Sequence, residues 1–394
     1  MSWRRLPPVH SPLSAAAIGA GFGAALIPAR AALARAEVEQ WLQATYAPAA
    51  WRWTDSGTSA LALALRLASE EGRRPVALPA YGCYDLATAC DAAGVRVFLY
   101  DVDPATLGPD WASLEQALQA GAGVVVAVHL YGVPVDLDRL AELAGRHGAV
   151  VVEDAAQGIG GSWRGRPLGA HGALSVLSFG RGKGNTSGGG GALLVHDARY
   201  AGQLPDLPPG GAGMVAVAKT GVQYLLARPA LYAIPASLPF LGLGETVYHP
   251  AHPPRGMSSS GFGLLSRSLL EVDGDAAVRR RNAVRLTALI GRPVRPASPS
   301  AGGNPGHLRF PVVVDPDLRP SALEAGRRLG LQPGYPTSLP ALGEPFVSHA
   351  TAQGTLPGAT LLARAVVTAP VHAFMSESEL ALLAMMIRQA LPRA

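Results

Sequence analysis

A single lysine sits in a run of glycines and hydroxyls. Residues 178–191 read SFGRGKGNTSGGGG, with Lys183 inside it. Only two of the 33 basic residues are lysine, Lys183 and Lys219. Arginine stays protonated and is no nucleophile, whereas a desolvated lysine amine can attack a carbonyl. Chance survival in an arginine-biased composition is the plainer account, so the loop has to be weighed on other grounds. A nucleotide phosphate loop needs a glycine separated from Gly-Lys by four residues, and a Ser or Thr directly after the lysine. Leu177 and Gly184 stand at those positions, and the hydroxyl that would hold magnesium is missing. A flexible linker fits no better, because the segment joins two apolar strand-like runs, ALSVLSF (173–179) and GALLVHD (191–197).

Two further stretches carry complementary chemistry. DSGTSALALAL (55–65) places Ser56, Gly57, Thr58 and Ser59 immediately before a helical pattern. Free N–H groups and the dipole at a helix start bind phosphate, and the hydroxyls add donors. Alone, such a stretch is more often simply an N-cap. VVVEDAAQGIGG (150–161) sets Asp154 and Gln157 at the carboxyl end of an apolar strand, where open α/β sheets build their sites. Glu153, taken by itself, reads as a polar strand end facing solvent. An amine, a phosphate cup and a buried carboxylate at one sheet edge meet the needs of pyridoxal phosphate. The lysine takes the aldehyde as a Schiff base, the helix start anchors the phosphate, and the carboxylate keeps the pyridine nitrogen protonated.

The elements that must position these groups alternate. Helical patterns at 58–72, 84–94, 111–120 and 136–148 are interleaved with short Val/Leu runs at 76–81, 95–103, 123–132 and 149–156. Strands of continuous apolar sequence suit a parallel sheet buried on both faces, in a doubly wound α/β structure. A long helix is predicted around 262–290, then a strand within 307–315, a helix near 319–330 and a terminal helix from Ser376.

Bulk properties narrow the function classes. A chain of 394 residues exceeds the usual size of a single core, so two domains are expected. The net charge of +5 comes from scattered arginines with no basic stripe, which argues against nucleic acid. Two cysteines, Cys83 and Cys90, suit free thiols in a reducing cytosol. The N-terminal run AAAIGAGFGAALIPARAAL resembles a signal peptide superficially, but Pro28 and Arg30 cut it short, and an arm packing on the body is the better reading. The apolar stretch 213–245 is broken by Pro229, Pro235 and Pro239, so it is not a spanning helix. It reads as a buried or interface-forming insertion, or more sharply as a membrane-docking or lipid-groove surface.

Taken together, SGTSAL (56–61), PAYGC (79–83), DVDPATL (101–107), VHLYG (128–132), VEDAAQGIG (152–160), SFGRGK and GGGGALLVHD resemble the DegT-like sugar aminotransferase family of type I pyridoxal phosphate enzymes. GMS (256–258), RRNA (280–283), LRFPVVV (308–314) and APVH (369–372) echo later blocks, so the resemblance spans nearly the whole chain. It implies the aspartate aminotransferase fold: a large domain with a mostly parallel, seven-stranded-type sheet and a smaller C-terminal α/β domain. The implied division is an N-terminal arm (1–45), a pyridoxal phosphate domain (46–255, with the apolar insertion at 205–250), and a connecting helix with the small domain (256–394).

By position, the resemblance makes Lys183 the residue of the internal aldimine and then the proton shuttle. Asp154 would pair with the pyridine nitrogen and Gln157 would contact the ring hydroxyl. Gly57, Thr58, Ser59 and Ser178 would bind the phosphate. Many relatives hold a ring-stacking aromatic at the position of Cys83, so Tyr84 or Tyr81 is expected to substitute. Gly189 replaces a glutamate common in the family, and PPRGMS (253–258) lacks the usual partner-loop asparagine. No metal site is expected. The implied activity moves an amino group from glutamate or glutamine to a keto group, most often of a nucleotide-linked keto-sugar, in a cytoplasmic homodimer with shared sites. Related dehydratases carry histidine at the lysine position, so transamination is favoured. A lipid-linked or cyclitol-type ketone, with peripheral contact to the inner membrane face through 213–245, is the second reading. A non-catalytic regulator is the third, and the intact Asp154, Gln157 and Lys183 argue against it.

Overall fold

The computed structural model describes residues 4–237, 247–296 and 301–392. Helices α1 (Ala15–Leu26) and α2 (Pro28–Tyr46) open it, with Pro28 in the first turn of α2, where its missing N–H leaves no bond unmade. The expected alternation follows: β1 (Ala50–Thr54), α3 (Gly57–Ala68), β2 (Val76–Pro79), α4 (Asp85–Ala93), β3 (Val97–Tyr100), α5 (Trp111–Gln119), β4 (Val124–Val128), α6 (Leu137–Arg146) and β5 (Val150–Asp154). Two short strands, β6 (Ser162–Trp163) and β7 (Arg166–Pro167), precede β8 (Leu174–Ser178) and β9 (Gly191–Val195). Then come α7 (Met214–Leu226), α8 (Ala233–Ala236), α9 (Ser259–Ser268) and α10 (Val272–Ile290). The C-terminal part adds β10 (Gly303–Asn304), β11 (Phe310–Val313), α11 (Arg319–Gly326), β12 (Gln332–Pro333), β13 (Ala350–Ala352), α12 (Pro357–Ala365), β14 (Val366–Ala369) and α13 (Glu377–Ala390).

The main sheet runs β1-β9-β8-β5-β4-β2-β3-β13, parallel from β8 to β13 and antiparallel at β9 and β1. Its eighth strand, β13, comes from the C-terminal part and pairs in parallel with β3, Ala350 opposite Val97. Three residues reading ATA carry no strand pattern, and the family resemblance implies a seven-stranded-type sheet without them. Every residue of β2, β4, β8 and β9 is buried. Successive side chains leave opposite faces of a strand. Val124 and Val126 accordingly pack with Leu61, Leu65 and Leu78 on one face, while Val125 and Ala127 pack with Leu42 and Leu177 on the other. Two apolar faces explain the continuous apolar sequence.

A further core forms where α10 and α13 cover the antiparallel sheet β11-β14-β12, through Leu286, Ile290, Val312 and Leu383. The helix predicted at 262–290 is two helices, α9 and α10, parted by a 3₁₀ turn at Leu269–Glu271. The Gly/Ala-rich N-terminal run is helix α1, packed on α9 so closely that a Cβ on Gly21 would lie 2.8 Å from Leu264. Within the apolar stretch 213–245, α7 buries only Val217 and Thr220 and exposes Val215 and Val222; residues 238–246 lie outside the described residues. No described helix is long and apolar enough to cross a membrane.

Candidate active site

The carboxyl ends of β4, β5 and β8 face the start of α3 across a cleft. Gly57, Thr58, Cys83, Asp154, Gln157, Ser178 and Lys183 all line it. Local sequence explains the phosphate-cup geometry. Ser56 caps α3 in an extended conformation, and its Oγ accepts the Ser59 N–H at 3.0 Å. That leaves the cap donors of Gly57 and Thr58 to the cleft, joined by the Thr58 and Ser178 hydroxyls. Gly57 has to be glycine, since a Cβ there would lie 2.6 Å from Ser178 Cβ. Ser59 sits a step back from the cleft, buried, with its hydroxyl accepting from Ser56 Oγ at 3.0 Å.

Lys183 is presented by a loop that closes on itself. The Phe179 N–H bonds to the Gly190 carbonyl at 2.9 Å, and the Ser187 N–H bonds to the Phe179 carbonyl at 2.9 Å. Gly182, before the lysine, and Gly190, after it, take φ of +77° and +123°, the region that favours glycine. Beneath the loop, buried Arg279 pairs with Asp275 and donates to the Gly306 carbonyl at 2.8 Å and to the Ile159 carbonyl at 3.3 Å. Ser11 of the N-terminal arm donates to the Lys183 carbonyl at 2.6 Å. Among the described residues the Lys183 amine has no hydrogen-bond or ion-pair partner, so it is available to a ligand.

Asp154 ends β5, and its Oδ1 accepts one protein N–H, from Ala156 at 2.9 Å. Burial raises its carboxyl pKa; that N–H and the charges of Lys183 and His129 pull the other way. Gln157 is held at both ends, Oε1 by the Tyr131 N–H at 2.9 Å and Nε2 by the Tyr335 hydroxyl at 2.6 Å.

Several placements differ from the sequence reading. Neither expected aromatic substitute reaches the cleft wall. The Tyr84 hydroxyl bonds to Thr337 Oγ1 at 2.7 Å, and the Tyr81 hydroxyl is buried against that of Tyr131 at 2.8 Å. Cys83 is at the wall itself, with its thiol raised to about 12 by burial and by the neighbouring Asp85. Nor does Glu153 face solvent: it is fully buried, accepting from His129 Nε2 at 3.0 Å, from the N–H groups of Gly169, His171 and Gly172, and from Ser175 Oγ. His129 and Asp85 also line the cleft; of the two, only His129 falls within a block that carries the family resemblance, VHLYG. Around Gly189 the space is open, with only the Asp55 carbonyl 3.9 Å from where a Cβ would stand. The 253–258 segment folds beside it: the Asp55 N–H bonds to the Arg255 carbonyl at 2.8 Å, and buried Met257 lies against Gly190.

With this geometry in hand, known proteins give it a context. Residues 36–221 match the model of the DegT/DnrJ/EryC1/StrS aminotransferase family. An L-glutamine:2-deoxy-scyllo-inosose aminotransferase of Streptoalloteichus tenebrarius is 33% identical over 250 residues, 63% of this chain and 54% of that one. An L-glutamine:scyllo-inosose aminotransferase of Streptomyces griseus is 36% identical over 175 residues, 42% of this chain and 41% of that one. The chain thus spans about half the length of these curated relatives or less. The crystal structure of the sugar aminotransferase CalS13 from Micromonospora echinospora superposes with a TM-score of 0.73 over 98% of this chain and 99% of that one, at 24% identity, and so shares the fold. The blocks read from sequence, the sheet and the family match converge on one likeness: over residues 36–221 the chain is similar to the DegT/DnrJ/EryC1/StrS aminotransferase family.

Proposed function

We propose that the protein is a pyridoxal 5'-phosphate-dependent aminotransferase that moves an amino group from glutamine or glutamate to a polyhydroxylated cyclic ketone. The observation that carries this is the convergence of one unpaired amine, Lys183, and one sparsely bonded buried carboxylate, Asp154, on a cleft walled by a capped helix start.

The residues fit the cofactor. The Gly57 cradle, which a Cβ would fill, with the Thr58 and Ser178 hydroxyls, offers donors to a phosphate. Asp154 is the acceptor for a protonated ring nitrogen, and it gains from such a partner the charge balance that burial denies it. Gln157 offers a donor to a ring oxygen. When bound, the cofactor supplies a carbonyl that condenses with amines and a ring that withdraws electrons. Lys183 Nζ is the covalent anchor, and once displaced by an incoming amine it takes and returns the proton at the reacting carbon of the substrate. Leu61, Leu86 and Val128 exclude water from the inner wall.

The cyclitol ketones named for the sequence relatives make that class the leading substrate, with a nucleotide-linked keto-sugar as the second reading. The protein acts as a homodimer, a reading supported by the open space beside Gly189 and by the exposed Val215 and Val222 of α7, which a second copy rather than a membrane would cover. The test is direct. Borohydride reduction of the cofactor-loaded protein, followed by peptide mass spectrometry, is expected to find the cofactor mass on the Lys183 peptide. Cofactor mass on another residue, or turnover by Lys183→Ala at the wild-type rate, would overturn the assignment. Assays with glutamine against cyclitol ketones and nucleotide keto-sugars then separate the two substrate classes.

A further inference from the structure

Gln157 can present either its oxygen or its nitrogen to the cleft, and its neighbours decide which. The amide has one acceptor oxygen and two N–H donors. Its oxygen faces the Tyr131 backbone N–H at 2.9 Å, a group that can only donate. Turning the amide over would set donor against donor. The nitrogen is then left to the Tyr335 hydroxyl at 2.6 Å, and one N–H remains for the cleft that Gln157 lines.

Tyr335 is itself held from three sides. Its backbone N–H bonds to the hydroxyls of Tyr81 at 3.1 Å and Tyr131 at 3.3 Å. Its ring stacks on Tyr131, centroids 5.5 Å apart and 19° from parallel, and meets Tyr81 edge-on at 5.6 Å. Gly334 allows this approach, because a Cβ there would lie 2.7 Å from the Tyr131 hydroxyl. Burial raises the Tyr335 hydroxyl pKa well above its ordinary value, so the group stays neutral. Tyr81 follows β2, Tyr131 follows β4, and Tyr335 follows β12 of the small sheet, so the C-terminal part meets Gln157 through this hydroxyl.

We propose that Tyr335 is a positioning residue whose hydroxyl locks the Gln157 amide with an N–H toward the cleft, as a donor to the ring oxygen of the bound cofactor. This rests on the pyridoxal phosphate reading above. Tyr335→Phe keeps the ring stack and removes only the hydroxyl. Titration of apoprotein with pyridoxal phosphate is expected to show about 5- to 20-fold weaker binding, and the pH dependence of the bound cofactor's absorbance shifts with it. Gln157→Ala weakens binding at least as much. In the double variant, Tyr335→Phe adds no further loss, because its effect runs through the amide. Gln157→Glu, which presents no donor, binds no better than Gln157→Ala. Wild-type affinity and pH dependence in Tyr335→Phe, additive losses in the double variant, or Gln157→Glu binding like wild type would each overturn the proposal. Wild-type apoprotein that takes up no pyridoxal phosphate would remove the cofactor reading together with it, so the two failures are distinguishable.

Discussion

Glu153 and Asp154 are neighbours on β5 and both are buried, yet their surroundings drive them in opposite directions. Glu153 receives five donors: the His129 ring, three backbone N–H groups and the Ser175 hydroxyl. Burial alone would raise its pKa, but the His129 hydrogen bond and charge and the N–H groups of Gly169 and His171 overcome it and bring the carboxyl down to about 2. Asp154 has the Ala156 N–H, and burial wins. A carboxylate that the protein has fully satisfied holds structure together. One left short of partners keeps its acceptor capacity for a ligand. Strand geometry separates them, since adjacent side chains leave opposite faces.

The largest expected effect lies on the satisfied side. Glu153→Ala strands His129 and three backbone donors in a dry interior, and the cost should be about 3–5 kcal/mol of unfolding free energy, read by urea denaturation. Loss under about 1 kcal/mol would mean that water replaces the carboxylate, and the contrast with Asp154 would collapse. The same group controls acid stability. Its folded pKa is depressed, so its contribution is full above the unfolded value of about 4.3 and disappears as pH falls toward about 2. Wild type should therefore lose about 3 kcal/mol across that window, and Glu153→Ala should not.

Asp154→Asn is the next test, and its sign is reversed. A carboxyl whose folded pKa is raised favours the fold while protonated, and that contribution is lost as pH rises through the folded pKa. At neutral pH the apoprotein should therefore be unchanged or about 1 kcal/mol more stable as Asn, which can still accept the Ala156 N–H. Cofactor affinity should fall about tenfold or more, because a neutral amide cannot balance a protonated ring nitrogen. Thermal denaturation with and without pyridoxal phosphate separates the two outcomes. An apoprotein destabilised to the extent of Glu153→Ala would show that both carboxylates are structural.

Sequence carried the working side of this contrast better than the structural one. Ser178, Gly57 and Asp154 were legible because each sits at a strand end or helix start, and Lys183 because it stands in the glycine-rich loop that joins β8 to β9. The role of Glu153 was not, because VVVED says nothing about Gly169, His171 and Ser175 closing over the other face. The partner of Tyr84 was hidden for a similar reason: its hydroxyl bonds to Thr337, 253 residues away. Tyr335 was missed because it reaches Gln157 only through tertiary packing of the β12 segment against β2 and β4. Strand β13 was invisible, since a short edge strand acquires its conformation from β3 rather than from ATA. Local chemistry survives in sequence, while long-range satisfaction of buried groups does not.

The smallest effect asks how redundant the Glu153 donors are. Ser175 Oγ lies 3.2 Å from Glu153 Oε2, the longest of the five contacts, and the same oxygen also accepts from the His171 N–H at 2.8 Å and the Gly172 N–H at 3.1 Å. Removing the hydroxyl in Ser175→Ala leaves no donor stranded, because the donor goes with it, and the carboxylate keeps four partners. The cost should be about 0.5–1 kcal/mol, with the acid transition moved slightly upward and cofactor affinity untouched. A cost near that of Glu153→Ala would show that the five donors act as one cooperative network. In that case the fall of the Glu153 pKa could not be divided among its partners, and the charge on β5 would be held all or none.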